Sequence, residues 1–544
     1  MSRRVLIAAA VAAVTWNAYA GQPKGIGLEP IGTFETGEFD ESAAEIVAYD
    51  ELSSSLFVIN ANDKTVDVLN ISDPTTPVLS GSIDVATAIP DSGGVNSVAV
   101  HEGLVAIAVE HENKQSNGWV AFYDTDGTFL NQVSAGALPD AVTITHNGQY
   151  ALAANEGEPS DDYSVDPEGS VTIVDLRNGV MNATTATADF TAYNGGAPEG
   201  VRISGPGASV AQDLEPEFIA TSHDSSTAWV TLQENNAMAI VDIKNATVTD
   251  LVSLGNKDHS LAGNGLDASN RDDAINIQPW PVYGTPMPDA ITSYRSKGKT
   301  WLITANEGDG REYIYETDEV TCDAAGHVYD DGDCISHLDE TRVKDVTLDP
   351  VAFPDASSLQ EQENLGRLKM LSTEGDIDND GDYDEIHSFG ARSITIWDAS
   401  GEWVYDSGDT MEQQTALALP LDFNSTNDEN DSFDNRSDDK GPEPEGVVVG
   451  KVRGRQYAFV GLERVGGIMI FDVTDPAETS YVSYINNRDF SVTDQDDVEN
   501  GLAGDLGPEG LLFIKPADSP NGEPLLVVGN EVSGTTTIYQ VVDD

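Results

Sequence analysis

A short apolar strand pattern that closes on a polar residue and a turn recurs along the chain. It reads Val66-Asp67-Val68-Leu69-Asn70, Val120-Ala121-Phe122-Tyr123-Asp124, Val171-Thr172-Ile173-Val174-Asp175 and Met238-Ala239-Ile240-Val241-Asp242. It returns as Ile394-Thr395-Ile396-Trp397-Asp398, Ile468-Met469-Ile470-Phe471-Asp472 and Thr536-Thr537-Ile538-Tyr539-Gln540. Two more apolar runs of strand length precede each copy. In the third unit these are Ala141 to Thr145 and Tyr150 to Ala154, joined by the hairpin signal His146-Asn147-Gly148. Helical periodicity is nearly absent. Repeated units of three or four short strands predict an all-β fold, a seven-bladed β-propeller. The long gap between Asp242 and Asp398 is read as insertions, because its middle is charged and poor in alternation.

The expected organisation is a single propeller domain over residues 21–544, with insertions around 256–288, 311–391 and 422–441. The last unit offers three strands. Pro30-Ile31-Gly32-Thr33-Phe34 is expected to pair beside residues 535–541 and close the ring. Residues 1–20 read as a signal peptide: Arg3 and Arg4, an apolar run from Val5 to Val14, then Ala18-Tyr19-Ala20 before the cleavage point. That run is too short to span a bilayer. No later stretch is long and apolar enough to do so, and the C-terminus carries no sorting signal. The expectation is a soluble protein, periplasmic or secreted.

Charge narrows the partners. The 94 Asp and Glu against 27 Lys and Arg leave a formal net charge of −67, while a hydrophobic content of 39% is ordinary for a folded chain. Nucleic acid and anionic membrane surfaces are excluded, since both require basic patches. The partners expected are cations, a small anionic ligand bridged by a metal, or a surface partner. Solubility in a salty medium is the plainer reading of the acidity and is expected to be its main cause. The only cysteines, Cys322 and Cys334, are expected to form one disulfide in an oxidising compartment. A zinc site with His327 and His337 is the weaker alternative.

The acidic residues are not scattered. First strands begin at Glu45, Asn96, Asp140, Glu217, Asp289, Glu445 and Glu509; second strands end at Glu110, Glu156, Glu234, Glu307, Glu463 and Glu531. In antiparallel neighbours, the start of one strand and the end of the next share a face, here one mouth of the central channel. Two such charges about 6 Å apart repel by roughly 2–3 kcal/mol at an effective dielectric near 20. Each carboxylate could simply accept backbone N–H bonds. For the whole ring, cation binding is the fuller explanation, calcium above all because it takes six to eight hard oxygen ligands. Arg311 and Arg464 could neutralise part of the ring, and Asn155 and Asn306 could add neutral oxygen ligands.

A second metal signal is Asp376-Ile377-Asp378-Asn379-Asp380-Gly381-Asp382-Tyr383-Asp384-Glu385. Alternating oxygen ligands around a glycine turn suit calcium. His387 stands where an EF-hand carries its bidentate Glu, so an isolated loop between strands is predicted. The stretch from Asp258-His259 through Asn264-Gly265-Leu266-Asp267 to Arg271-Asp272-Asp273 is a weaker candidate for an ion-stabilised loop. Nucleophile-elbow, zincin and P-loop motifs are absent. Trp280-Pro281-Val282-Tyr283 is expected to pack an insertion against a blade, with a pocket wall as the lesser reading.

The runs Ala305 to Tyr313, Arg342-Val343-Lys344-Asp345, Gly375 to Glu385, Ser388 to Ser393 and Arg436 to Gly446 resemble the choice-of-anchor I family. The resemblance implies an exported, propeller-like protein, in a family that includes atypical alkaline phosphatases and cell-surface glycoproteins. Two functions are therefore carried forward. One is a calcium-dependent phosphoesterase, with Glu307, Arg311 and Glu156 as catalytic residues and Asp376, Asp378, Asp380, Asp382, Asp384, Glu445 and Glu509 as metal ligands. The other is a non-enzymatic cell-surface or ligand-binding propeller. Mass spectrometry of exported protein should find Gly21 at the N-terminus; a chain beginning at Met1 would overturn the predicted export.

Overall fold

The computed structural model describes residues 25–543; the predicted signal peptide lies outside them. Among the described residues, seven four-stranded antiparallel sheets follow one another, a β-propeller architecture. Consecutive strands pair within each sheet. The fourth sheet, for instance, runs Pro216–Thr221, Thr227–Leu232, Ala237–Asp242 and Thr247–Ser253. The last sheet differs in one respect. Its outer strand is Ile26–Glu35, which pairs antiparallel with Thr535–Asp543 from the far end of the chain. First strands of neighbouring sheets lie side by side, Pro508–Ile514 against Val47–Asp50 included.

Burial explains why many strands read as continuous apolar runs. Each sheet packs on both faces, so successive residues are buried whichever way they point. One cluster joins Phe57 and Val66 to Val95 and Val109, another joins Leu56 and Leu69 to Val527 and Ile538, and a third joins Ile26 and Leu28 to Phe459 and Leu526. The core is thus a set of wedges between sheets. Glycine permits the tightest approaches. A Cβ on Gly446 would stand 2.0 Å from the Glu509 carbonyl oxygen, and one on Gly510 would stand 2.4 Å from that of Glu45.

The long insertion is better folded than its composition suggests. Strand Lys299–Asn306 pairs with Ser393–Asp398 across the insertion. Leu266, Trp280 and Val282 from the stretch before this sheet join Leu348, Phe353, Leu365, Met370 and Ile386 from the insertion in a separate apolar core. Trp280 therefore packs inside the inserted unit. The charged positions there are its solvated surface, spaced irregularly because loops, not long strands, carry the apolar residues. Cys322 and Cys334 are disulfide-bonded, which removes the zinc reading and leaves His327 a neighbour of the bridge.

Gly446→Ala should destabilise the protein by about 1–3 kcal/mol, because backbone atoms of two adjoining strands must separate to admit one methyl group. A thermal melt followed by circular dichroism checks this, and an unshifted midpoint would contradict the close approach.

An acidic channel mouth, half of it neutralised

First strands are led into the channel by a repeated device. Pro139, Pro216, Pro288, Pro444 and Pro508 each precede a carboxylate: Asp140, Glu217, Asp289, Glu445 and Glu509. In four of these sheets the pairing register shifts just after the proline. Such a bulge interrupts the ladder and re-aims a side chain. At the partner end, Asn155 and Asn306 are fully buried. The Asn155 amide donates to Ser170 and Thr172 while its Oδ1 accepts from Gly136 N–H; the Asn306 amide donates to Thr395 while its Oδ1 accepts from Thr304. These carboxamides pin strand ends, so they are not the free oxygen ligands the sequence suggested. The glutamates that follow them lie at the mouth.

The mouth divides by how its charge is compensated. On one side Glu307, Glu443 and Glu463 bring carboxylate oxygens within 4.8 Å of one another. Protein cations fill the space between them. Lys440 Nζ is 2.8 Å from Glu307 and 3.7 Å from Glu443, Arg436 and Arg464 each reach Glu443 at 2.5 Å, and Arg464 meets Glu463 at 2.9 Å. Gln233 and Asn427 add amide donors to Glu307 and Glu463. Burial alone would raise the Glu443 pKa, but Lys440, Arg436 and Arg464 hold it well below the usual carboxylate range.

On the other side Asp140, Glu156 and Glu217 also place oxygens within 4.8 Å of one another, half-buried. Among the described residues no ion pair or hydrogen-bond donor meets any of the three carboxylates. Burial, then neighbouring carboxylates, push Glu156 and Glu217 well above their ordinary range. Burial and then Glu158 push Asp140 up to about 7. Asp140 and Glu156 line a cavity of about 360 Å³ that also touches Glu45, Glu110, Lys114, Asp289 and Glu509. Between the two sides, Glu445 and Glu509 each bury an Oε2 without a partner. Neither belongs to a close carboxylate trio among the described residues.

Arg311 is almost fully buried, away from the open trio. Its guanidinium is held by Glu215 at 3.0 Å, the Asp213 carbonyl at 2.7 Å and Ser204 at 2.7 Å. It nevertheless borders a cavity of about 400 Å³ where Lys369, Arg436, Lys440 and Arg464 alternate with six carboxylates, Glu158, Glu234 and Asp309 among them. The aspartate loop is split into two sets. Asp376, Asp378 and Asp384 bring oxygens within 4.8 Å; Asp382 and Asp384 do so with Asp349, which the sequence reading missed. Asp349 arrives because its N–H bonds the Tyr383 carbonyl, a contact with no local sequence signal. Asp380 instead accepts from Asp382 N–H.

Known proteins resemble the chain as a whole. The choice-of-anchor I domain model matches residues 45–476. Gigasin-3a of Magallana gigas is 32% identical over 191 residues, covering 34% of this chain and 67% of that protein. The mesenchyme-specific cell surface glycoprotein of Strongylocentrotus purpuratus is 26% identical over 346 residues, covering 60% of this chain and 44% of that protein. The chain thus spans less than half the length of the second relative. Among solved structures, the Kuenenia stuttgartiensis hydrazine synthase has a TM-score of 0.46 at 12% identity, over 93% of this chain and 98% of that one. The WD40 domain of Toxoplasma gondii coronin has a TM-score of 0.43 at 8% identity, over 96% and 89%. No helix among the described residues is long and apolar enough to cross a membrane.

The raised carboxyl groups fix a pH dependence. Glu45 moves from 4.5 to about 8 through burial and neighbouring acids, so the folded mouth holds protons that the unfolded chain has released. Stability from such a group is fully present below pH 4.5 and is lost as pH rises towards 8. In chelator, the melting temperature should therefore fall over that window, and Glu45→Gln should shrink the fall. A midpoint that rises with pH there would sink this account.

Proposed function

The chain belongs to the choice-of-anchor I family, and from that premise we propose an exported, seven-bladed propeller, closed by its N-terminal strand, that binds calcium at its mouth for recognition at a cell surface. The observation that carries the reading is the Asp140–Glu156–Glu217 trio. Three carboxylates whose oxygens lie within 4.8 Å, with no protein cation among them, are a hard-oxygen ligand set. The opposite trio, filled by Lys440 and two arginines, illustrates what such a cluster requires when no ion is supplied. A bound ion would leave open coordination positions facing the cavity, able to meet an anionic group on a partner. The split aspartate loop is a second calcium-binding element, and Asp349 joins its ligands. The similarity to a cell-surface glycoprotein supports an extracellular setting, periplasmic or secreted before any attachment.

A calcium-dependent phosphoesterase is the second reading. It draws on the cavity that Lys369, Arg436, Lys440 and Arg464 line beside six carboxylates, where a metal would bridge an anion to the acidic wall. Glu156 is the stronger catalytic candidate of the three named from sequence. Glu307 is engaged by Lys440 and Gln233, and the Arg311 donors are taken up by Glu215, Asp213 and Ser204. Arg311 in this arrangement is a positioning residue for the surrounding loops.

Calorimetric titration with calcium should give a site that Glu217→Gln and Asp140→Asn each weaken by about tenfold or more, as loss of ligand-shell groups does, with the fold retained. Unchanged affinity in both variants would remove the ion from the mouth. If calcium-loaded protein hydrolyses phosphate esters, and Glu156→Gln lowers that rate by about 10²-fold, the enzymatic reading replaces the recognition one.

A further inference from the structure

The segment from Asp422 to Lys440 is polar in sequence yet deeply buried: Asn424, Ser425 and Ser437 are 0% exposed and Asp434 is 3% exposed. Most of its polar groups find partners. Asn424 donates through Nδ2 to Glu412 at 3.1 Å and to Ser437 at 2.9 Å, and Asp434 accepts from Ser437 at 2.6 Å. A carboxylate can only accept, so the bond to Glu412 fixes which way the Asn424 amide points. Its Oδ1 is then turned elsewhere, buried and without a donor, as is Oδ2 of Asp434. A third such atom is Oδ1 of Asn270.

Asn270 belongs to the facing stretch, which also supplies Asp267, itself 0% exposed. Glu412 ties the two stretches together, since it accepts from Asp267 N–H as well as from Asn424. Arg392 accounts for the Glu412 charge, at 2.6 Å. That leaves Asp434, which feels the Asp267 charge, and Asp267, whose oxygens accept only from the Asn276 and Ser269 N–H groups, without a basic partner among the described residues. Orphaned buried acceptors are costly, and several in one seam need a common explanation.

We propose that Asp267, Asn270, Asn424 and Asp434 enclose a divalent cation of the calcium class, buried between the 267–276 and 423–437 stretches. The donors are all oxygen, which selects a hard cation over zinc or copper. Two carboxylates match its charge, and the two amide oxygens complete part of a shell. This ion is separate from the one at the mouth, and its role is architectural. It holds the loop that delivers Arg436 and Lys440 to Glu443 and Glu307, so the neutralised half of the mouth depends on it. Sealed from solvent, it exchanges only when the loop opens.

The test uses the full exported chain. Protein loaded with calcium and then passed through gel filtration in EGTA should retain one calcium ion per chain by elemental mass spectrometry, while accessible sites empty. Asp434→Asn keeps the shape and the Ser437 contact; it should retain none and melt at a lower temperature. Glu217→Gln, at the mouth, should retain the ion, which separates this site from the proposed recognition site. Wild-type protein that retains no calcium overturns the proposal, as does Asp434→Asn with the wild-type content. Should Asp434→Asn fail to fold, the wild-type measurement alone decides. An Asp434→Asn protein that matches or exceeds wild-type stability in EGTA would mean that Asp434 carries a proton instead, as a carboxyl raised by burial to about 8 can.

Discussion

Carboxylates gathered within a few ångströms and shielded from bulk water repel one another unless a positive charge, a hydrogen-bond donor or a proton intervenes. Much of this protein follows from how that constraint is met at the channel mouth. Close-packed sheets bring the same end of every first strand to one place, and the chain carries an acid there in all but one sheet. Asn96 is the exception; its amide donates to the Pro139 carbonyl, beside Asp140. The architecture thus concentrates charge that a less symmetric fold would disperse.

The two halves of the mouth answer the constraint differently. Around Glu443, the loop before the sixth sheet supplies Arg436 and Lys440, and Arg464 follows Glu463 directly. These contacts are short, multiple and buried, so removing one partner would strand another charge. Around Asp140, Glu156 and Glu217 no basic side chain forms an ion pair with the three among the described residues. Lys114 lines the same cavity and draws Asp140 down, but it pairs with Glu110 at 3.9 Å. A fold that invests so many buried cations on one side and none on the other sets up a polarity across the channel. That polarity is set by where side chains from separate loops meet, and the overall charge does not report it.

The insertions serve this arrangement. The unit around Trp280 and Leu365 has its own apolar core. Its loops carry Arg392, which bonds Glu412 and the carbonyls of Ser437 and Asp439. Through these contacts the inserted unit buttresses the loop that neutralises the mouth. Lys369 and Arg342 extend the same buttress to Asp439 and Asp438.

The repeated apolar strands, the spacing of turns and the acids at strand ends were legible in the sequence because each is set locally, by side-chain periodicity and turn chemistry. So were the disulfide, which two lone cysteines left little choice about, and the pairing of Pro30 to Phe34 with the last strand, which an unfinished sheet required. The sequence also carried an unread signal, the proline before five of the acids, whose meaning depends on the register shift that follows it. Tertiary structure alone decided which acids are compensated. Lys440 lies far along the chain from Glu307, Arg311 turns away from its neighbouring Glu307 towards Glu215, and Asp349 joins Asp382 and Asp384 through one backbone contact. Charge pairing acts over a few ångströms of space, and sequence distance does not report that separation once loops from several sheets converge on one mouth.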